Sequence, residues 1–318
     1  MKVKVWVALL AVYIVWGSTY LSIRFAVESI PPFLMAGIRF LVAGLILYVW
    51  RRLAGDPSPT PRQWRSAVIV GLLLLLGGNG LVSLAEQHVA SGIAALMIAS
   101  VPLWMALIDS IRPKGITPDW KIILGLMVGF GGLALLVTSS NSVSASEGMN
   151  PLGIGALLLA SLLWSIGSVY SQGADMPESS LLGSGMEMLG GAAGLFLMGT
   201  FTGEWTQLHI ASITIRSLLG LSYLITFGSL VGFVSYAWLL RNAPLSLVST
   251  YAYVNPVVAI FVGAWLGNEL INGRIILAAL IIIGSVVVIN QSKQTKVIQE
   301  KKTAAPVAEK REELMDDY

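Results

Sequence analysis

Long apolar runs separated by short polar segments dominate the sequence. An α-helix needs about 20 apolar residues to cross the hydrocarbon core of a bilayer, and ten runs approach that length. Each run is predicted to be a membrane-spanning helix. In chain order, the runs are Val5–Ile23, Pro32–Trp50, Ala67–Leu84, Gly92–Ile111, Trp120–Val137, Leu152–Tyr170, Leu181–Phe201, Ser217–Leu240, Leu245–Leu266 and Ile275–Ile289.

Landmarks repeat between the two halves of this pattern, which indicates an internal duplication. The segment Trp16–Tyr20 of the first run returns as Trp164–Tyr170 in the sixth, 148 positions later if the tryptophans are aligned and 150 if the Gly-Ser pairs are aligned. Pro102 in the fourth run matches Pro256 in the ninth, 154 positions later. Five spans per half is an odd number, so the second half must start from the opposite side of the membrane. The halves are therefore predicted to be inverted copies, related by a pseudo-two-fold axis in the membrane plane.

The predicted fold is an all-α polytopic membrane protein, with ten transmembrane helices in two inverted five-helix repeats. We expect the first repeat at residues 1–138, a linker at 139–150 and the second repeat at 151–290. Residues 291–318 are charged and poor in aromatic residues, which is typical of a disordered tail.

Composition and charge agree with a membrane protein. Only 12% of the residues are charged and 55% are hydrophobic, whereas a soluble domain carries about 25% charged residues. With a cytoplasmic amino terminus, sixteen Lys and Arg residues lie inside and three, Arg24, Arg216 and Arg274, lie outside. The positive-inside rule therefore predicts that both termini are cytoplasmic. The absence of cysteine excludes disulfides and thiolate metal sites, and no basic, aromatic-interleaved stripe indicates nucleic-acid binding.

These landmarks, together with Gly37-x-Arg39-Phe40 in the second run and Asn268-Glu269 at the end of the ninth, carry a family resemblance. The chain resembles the EamA-type transporters of the drug/metabolite transporter superfamily over residues 5–290. The resemblance implies a multi-pass protein of the bacterial inner membrane. It also implies export of small metabolites or toxic compounds through a central cavity between the halves, with helices five and ten at the periphery.

Charged residues inside or near the spans are candidates for coupling or gating. Arg39 lies about eight residues inside the second run, where an arginine costs roughly 2.5–3.5 kcal/mol. Its counterpart 148 positions later is Glu187. One interpretation is a pair across the axis that holds or gates the interface, or binds a substrate anion; the alternative is that each residue is satisfied separately. Glu86 is a candidate proton acceptor, but we favour full solvation of Glu86 at the outer interface.

Polar and aromatic residues within the runs predict a substrate-contacting cavity. Matched prolines predict helix breaks at Pro102 and Pro256, and paired breaks of this kind mark binding sites in transporters. Polar residues on one side of the third helix should face other helices or water rather than lipid. The predicted cavity residues are Trp16, Tyr20, Asn79, Ser83, Trp104, Trp164, Tyr236, Ser249, Tyr253 and Asn255.

The expected function is that of a secondary transporter, working by alternating access, which exports amino acids, aromatic or amphipathic compounds, or drugs. Proton coupling through Glu187 or Glu86 and uncoupled facilitation both fit the sequence. No cofactor, metal or catalytic site is expected, because His88 and His209 fall in loops and no nucleotide-binding Gly-x-x-x-x-Gly-Lys-Ser/Thr motif occurs. An importer, or an integral membrane enzyme or flippase acting on lipid-linked substrates, is the alternative. The expected partners are a small molecule and the lipid bilayer, with monomer and homodimer both open.

Overall fold

The computed structural model describes residues 2–111, 120–139, 151–271, 273–285 and 287–288, and every regular element in those ranges is helical. The helical segments coincide with the predicted runs. They are α1 (Lys2–Val27), α2 (Pro32–Leu53), α3 (Pro61–Ala85), α4 (Ser91–Ile98 and Val101–Ile111), α5 (Trp120–Ser139), α6 (Pro151–Ser171), α7 (Ser180–Phe201), α8 (Ile215–Asn242), α9 (Leu245–Val248 and Tyr251–Gly267) and α10 (Gly273–Ser285).

Membrane-spanning length is reached by seven of the helices in the described part of the chain. Shorter apolar helices at Ile123–Gly132, Val254–Gly267 and Gly273–Ser285 fall within α5, α9 and α10. The structure therefore supports an all-helical protein with several spans, and the count of ten stays a prediction. The predicted linker and carboxy-terminal tail lie outside the described residues, apart from Ser139.

Local sequence signals set where several helices begin. Thr60 and Gln63 form a reciprocal capping box at the start of α3, with Pro61 in the first turn. Ser179 accepts a hydrogen bond from the Leu182 backbone N–H at the start of α7. These caps satisfy backbone donors that have no partner inside their own helix.

Helices of one half pack mainly against helices of the other. Helix α2 lies along α7; α1 packs on α8 and α9, and α6 packs on α3 and α4. Helix α2 also contacts α8, α7 contacts α3, and α4 contacts α9. If each helix is replaced by its counterpart in the other half, five numbers later or earlier, the same set of pairings results. The packing therefore follows the internal duplication.

Small residues allow the closest of these contacts. A Cβ atom on Gly185 of α7 would lie 3.0 Å from the Tyr48 backbone nitrogen of α2, and one on Gly44 would lie 3.1 Å from the Gly185 carbonyl oxygen. Helix α7 also needs Gly190 against α3, where a Cβ would lie 2.9 Å from the Cα atom of Val68. Glycine at these positions lets the backbones of paired helices approach each other, as is common inside membranes.

Two helices change their winding at equivalent places. Residues Leu72–Gly80 of α3 and Leu224–Phe233 of α8 are π-helical, and the two segments begin 152 positions apart. A π-helical stretch is rare and is frequently found at functional sites. The glycines of the first segment, Gly77, Gly78 and Gly80, therefore have a candidate role besides helix packing.

Helices α4 and α9 are interrupted at matched positions, but proline does not explain both interruptions. Helix α4 breaks after Ile98 and resumes one residue before Pro102, whereas α9 breaks after Val248. Pro256 lies inside the continuous second part of α9, so the prediction of a break at Pro256 is wrong in position.

Each of the two breaks instead has a hydroxyl group that bonds back to the preceding turn. Ser100 Oγ donates to the Met97 carbonyl oxygen at 2.7 Å, and Thr250 Oγ1 donates to the Leu247 carbonyl oxygen at 2.5 Å. Ser100 and Thr250 are 150 positions apart. A hydroxyl that bonds back to the preceding turn competes with the helical ladder and bends the chain there.

Candidate functional site

A cavity lies between the two halves. Side chains from α1, α2, α3 and α4 of the first half meet those of α6 and α9 of the second. The lining residues are Trp16, Thr19, Tyr20, Ile23, Arg39, Gly78, Asn79, Val82, Ile98, Ala160, Trp164 and Tyr251.

An aromatic cluster forms one wall. The rings of Trp16 and Trp164 meet edge to face with centroids 5.3 Å apart. Tyr236 lies beside both, at 4.8 Å from Trp16 and 5.4 Å from Trp164, and Tyr251 is 5.4 Å from Trp16. Edge-to-face and tilted pairs at these separations are favourable beyond the apolar area that they bury.

Hydrogen bonds fix both indole rings. Trp164 Nε1 donates to the Tyr236 hydroxyl at 3.0 Å, and Trp16 Nε1 donates to the Gly228 carbonyl oxygen at 3.2 Å. Ser168 Oγ lies 2.7 Å from the same tyrosine hydroxyl. The tryptophans therefore have defined orientations at the cavity wall.

Each tryptophan rests on a glycine in the π-helical segment of the opposite half. A Cβ atom on Gly232 of α8 would lie 2.5 Å from Trp16 Nε1, and one on Gly78 of α3 would lie 2.5 Å from Trp164 Cε3. Any residue other than glycine at these two positions would require the indole ring to move. The duplicated tryptophans and the π-helical segments thus form one repeated arrangement.

Arg39 reaches the cavity from α2 and is only 2% exposed. Its Nε donates to Ser229 Oγ at 2.9 Å, and its Nη1 donates to Asn79 Oδ1 at 3.4 Å. Asn79 and Ser229 lie 150 positions apart, one in each π-helical segment. Within the described residues, no carboxylate lies within ion-pair distance of Arg39.

The structure does not bring Arg39 and Glu187 together. Glu187 is 1% exposed, and the positive charge that acts on its carboxyl group is that of Arg241, at the end of α8. Arg241 donates through Nη1 to the Pro177 carbonyl oxygen at 2.9 Å. The two halves therefore use these equivalent positions differently: Arg39 lines the cavity, whereas Glu187 is not among the lining residues.

The other predicted cavity residues are divided between lining and support. Tyr20, Asn79 and the two tryptophans line the cavity, whereas Tyr236 supports the tryptophans from behind. The Asn255 side-chain amide lies 3.1 Å from the Tyr13 carbonyl oxygen, inside the protein. Residues that are not part of the lining are Ser83 and Ser249, both buried, and Trp104, which packs on Phe130; the side chain of Tyr253 lies outside the described part of the chain.

Glu86 differs from the expectation of full solvation. Its neighbours Gln87 and His88 are exposed, but Glu86 itself is 2% exposed. The reason is that α3 ends at Ala85 against the other helices, so the first residue after the helix still points into the protein. Neither Glu86 carboxyl oxygen has a side-chain hydrogen-bond partner in the described residues.

Glu269, close to Glu86, joins three elements. Its Oε1 accepts from Arg24 Nη1 at 2.6 Å, and from the Ser91 backbone N–H at 2.9 Å and Oγ at 2.7 Å. Its Oε2 accepts from the Gly92 backbone N–H at 3.1 Å. A carboxylate at the amino terminus of α4 satisfies helix donors and complements the helix dipole. Glu269 therefore connects the end of α9 to α1 and α4.

Glu204 caps a helix of the other half in a similar way. Its carboxyl oxygens accept from the Phe33 and Leu34 backbone N–H groups, at 3.2 and 2.9 Å, at the start of α2. Burial raises the pKa of the Glu204 carboxyl, while these two hydrogen bonds act in the opposite direction. Glu204 follows α7, so this contact links α7 to the beginning of its partner α2.

Asp56, 148 positions before Glu204, occupies the equivalent place after α2. Its Oδ1 lies 2.5 Å from Arg51 Nη2. The hydrogen bond from Arg51 lowers the pKa of the Asp56 carboxyl, and one from Ser179, the residue that caps α7, lowers it further. Both ends of the α2–α7 pair are thus joined by a carboxylate from the loop that follows one of the helices.

Sequence reasoning missed several residues of this site. Thr19 and Val82 line the cavity but carry no distinctive signal, because a threonine or valine inside an apolar run is ordinary. Ser229 had a usable signal, since it lies 150 positions after Asn79, the offset of the repeated Gly-Ser pair. Comparing the halves residue by residue would also have related Asp56 to Glu204.

Fold and site together define a polytopic helical membrane protein with a chamber between two related halves. The sequence matches the EamA-like transporter family over residues 3–138 and 151–291, and the chain belongs to that family. The predicted resemblance is confirmed.

Similar proteins include several bacterial transporters. The chain is 38% identical to the inner membrane transporter YedA of Escherichia coli K12 over 287 residues, 90% of each chain. It is 26% identical to the transporter YoaV of Bacillus subtilis over 290 residues, 88% of this chain and 94% of the relative. A solved crystal structure with 18% identity has a TM-score of 0.62 over 89% of this chain and 94% of the other, which shows a shared fold.

Proposed function

We propose that the chain is a secondary transporter that exports small organic metabolites across the bacterial inner membrane by alternating access. The observation that carries this proposal is the cavity between the halves, whose wall is built from the equivalent residues Trp16 and Trp164. A chamber on the pseudo-symmetry axis of two related halves is where transporters bind substrate. Membership of a transporter family supports the same function.

Irregular helices around the cavity supply places for movement. The π-helical segments of α3 and α8 and the breaks in α4 and α9 all lie at equivalent positions in the two halves. At such places the backbone can change direction without breaking a long regular ladder. We propose that the halves rock about these four segments and expose the cavity to each side in turn.

Two buried carboxyl groups are the proposed proton carriers. Glu86 and Glu187 are 2% and 1% exposed, and Glu86 together with Glu187 Oε2 lacks a hydrogen-bond partner in the described residues. Buried acids of this kind mark proton relays in membrane transporters. Proteoliposomes with an imposed pH gradient test this step. If the gradient leaves the flux of an exported compound unchanged, proton coupling is wrong. If the flux responds and Glu86→Gln and Glu187→Gln respond like the unmodified protein, these two residues are not the proton carriers.

The proposed topology has ten spans with both termini in the cytoplasm. Because the chain has no cysteine, single cysteines can report sidedness. Ser58, in the loop after α2, and Gln87, in the loop after α3, are both exposed. An impermeant thiol reagent applied to intact spheroplasts should label Gln87→Cys and leave Ser58→Cys unlabelled; the reverse pattern would contradict the orientation.

Export itself is tested by overexpression in a bacterial host that lacks its own related transporters. Secreted metabolites and resistance to amino acids, aromatic compounds and cationic drugs are compared with those of cells that produce Trp16→Ala. We expect a defined set of compounds to leave the cells faster only with the unmodified protein. Equal secretion and equal resistance across the panel, at matched protein levels in the membrane, would contradict the proposal.

A further inference from the structure

The charge of Arg39 has no counter-ion in the part of the chain that the structure describes. The side chain is 2% exposed, and its two hydrogen bonds go to the neutral oxygens of Ser229 and Asn79. A buried charge is costly unless a partner of opposite sign or good hydrogen bonds offset the loss of water. We infer that the cavity binds an organic monocarboxylate with an apolar, aromatic body, and that Arg39 receives the carboxylate; this inference rests on the proposed function.

Nη2 of the Arg39 guanidinium donates to neither Ser229 nor Asn79, which leaves it available to a ligand. Nε and Nη1 are held by Ser229 and Asn79, one from each half, which fixes the plane of the group. Nη2 makes no hydrogen bond to either residue and lies above Gly228, where an added Cβ would come within 2.8 Å. An arginine presents five N–H donors in a rigid fork, and the two hydrogen bonds use one on Nε and one on Nη1, so the N–H donors of Nη2 remain to bind a carboxylate.

The rest of the lining selects against other charge types. Arg39 is the charged member among the lining residues, and none of them is acidic. A cation would meet the guanidinium with no carboxylate to compensate, whereas an anion would neutralise it. A single positive group matches a single negative charge.

The aromatic wall accounts for the body of the ligand. Trp16, Trp164 and Tyr251 face the same cavity as Arg39. Flat apolar groups pack well against such rings. Charge and shape together point to an aryl or indolyl carboxylic acid.

The rival explanation is that Arg39 only ties α2 to α3 and α8 through neutral hydrogen bonds. A purely structural arginine predicts a loss of stability on substitution and no preference among ligands. A ligand-binding arginine also predicts discrimination between an acid and its neutral amide. The test therefore measures binding and stability separately.

Binding of matched probes to the purified full-length protein in lipid nanodiscs distinguishes the structural role of Arg39 from the ligand-binding role. The probes are indole-3-acetate, its neutral amide indole-3-acetamide and the cation tryptamine, measured by calorimetry. We expect the acid to bind at least tenfold more tightly than the amide or the amine. Arg39→Gln should weaken acid binding by about ten- to a hundredfold, as expected for a lost charged hydrogen bond, and should abolish the acid preference.

Control variants keep the inference falsifiable. Arg39→Lys retains the charge and should keep part of the preference, while Arg62→Gln removes an exposed arginine outside the cavity and should leave it unchanged. If Arg39→Gln does not fold, the preference of the unmodified protein and of Arg39→Lys decides. No measurable binding of the acid, equal binding of acid and amide, or an intact preference in Arg39→Gln would overturn the inference.

This test can fail independently of the proposed function. Export of neutral or cationic compounds with no Arg39-dependent acid binding would overturn the inference and leave the transporter in place. Arg39-dependent acid binding without export of any compound would overturn the proposed function and leave the anion site in place.

Discussion

Trp16 of the first half and Trp164 of the second meet edge to face, with ring centroids 5.3 Å apart and ring planes at 83°. The two residues are 148 positions apart and occupy equivalent places in the repeat. One sequence position, duplicated, therefore supplies both sides of a contact at the centre of the molecule. We predict that this contact is needed for transport as well as for packing.

Removing either indole should impair export. Trp16→Ala and Trp164→Ala each delete a ring that is only 8% exposed, and loss of a large buried side chain costs about 3–5 kcal/mol. We expect at least tenfold slower export and a lower melting temperature, with Trp→Phe at either position intermediate. Trp50→Ala, at a ring that is 54% exposed, is the matched control and should transport normally. Equal export rates for all these variants would contradict the role of the pair.

Adding a methyl group to the glycines beneath the tryptophans should disturb the same wall from the opposite side. Gly78→Ala and Gly232→Ala would each place a Cβ atom 2.5 Å from an indole ring. Overpacking of this kind costs about 1–3 kcal/mol, and export should fall together with the melting temperature. Gly155→Ala, in α6 with no atom within 4 Å of the added group, should be neutral or stabilising. Normal stability and export in both cavity variants would show that the rings are not held there.

The contacts of the Glu269 carboxylate should stabilise the fold more than an exposed Glu–Arg ion pair does. Its carboxylate is 7% exposed and accepts from Arg24, Ser91 and Gly92. Glu269→Gln should lower the free energy of unfolding by about 1–3 kcal/mol, because charged hydrogen bonds at a buried site are lost. Glu28 pairs with Arg216 at 3.2 Å but is 39% exposed, so Glu28→Gln should cost less than about 1 kcal/mol. Thermal unfolding in detergent measures both, and equal losses would contradict this ranking.

Stability should depend on pH through Asp56. Its pKa is lower in the folded chain than the ordinary value of 3.8, because of the hydrogen bond from Arg51. A carboxyl with a lowered folded-state pKa contributes stability above its unfolded pKa and loses that contribution as the pH falls through the folded value. Asp56→Asn should therefore be less stable than the unmodified protein at pH 7, and the difference should shrink below about pH 4. A difference that stays constant down to about pH 2.5 would contradict this assignment.

Much of the fold was predictable because hydropathy and duplication report on it directly. The ends of α7, predicted at Leu181 and Phe201, agree with Ser180–Phe201 within one residue. The duplication also related Trp16 to Trp164 through the sequence alone. Long apolar runs and repeated tryptophans are strong signals because the first reflects composition over many residues and the second pairs two uncommon residues at a fixed offset.

Details set by tertiary contact were not predictable in the same way. Pro256 carries a strong sequence signal for a break, yet the break in α9 lies at Thr250, where a hydroxyl bonds back to the preceding turn. Equivalent positions also need not make equivalent contacts, as Arg39 faces the cavity and Glu187 does not. Burial of Glu86 depends on how other helices cover the end of α3, which no local pattern encodes.

Water access to the cavity from both sides of the membrane is the most direct test of alternating access. In the naturally cysteine-free chain, Val82→Cys places a thiol in the cavity lining, and Ala43→Cys places one at a fully buried position outside that lining. An impermeant charged thiol reagent is applied to right-side-out and to inside-out membrane vesicles. We predict that Val82→Cys is labelled in both preparations and Ala43→Cys in neither. Labelling of Val82→Cys from one side alone, or from neither side, would contradict alternating access.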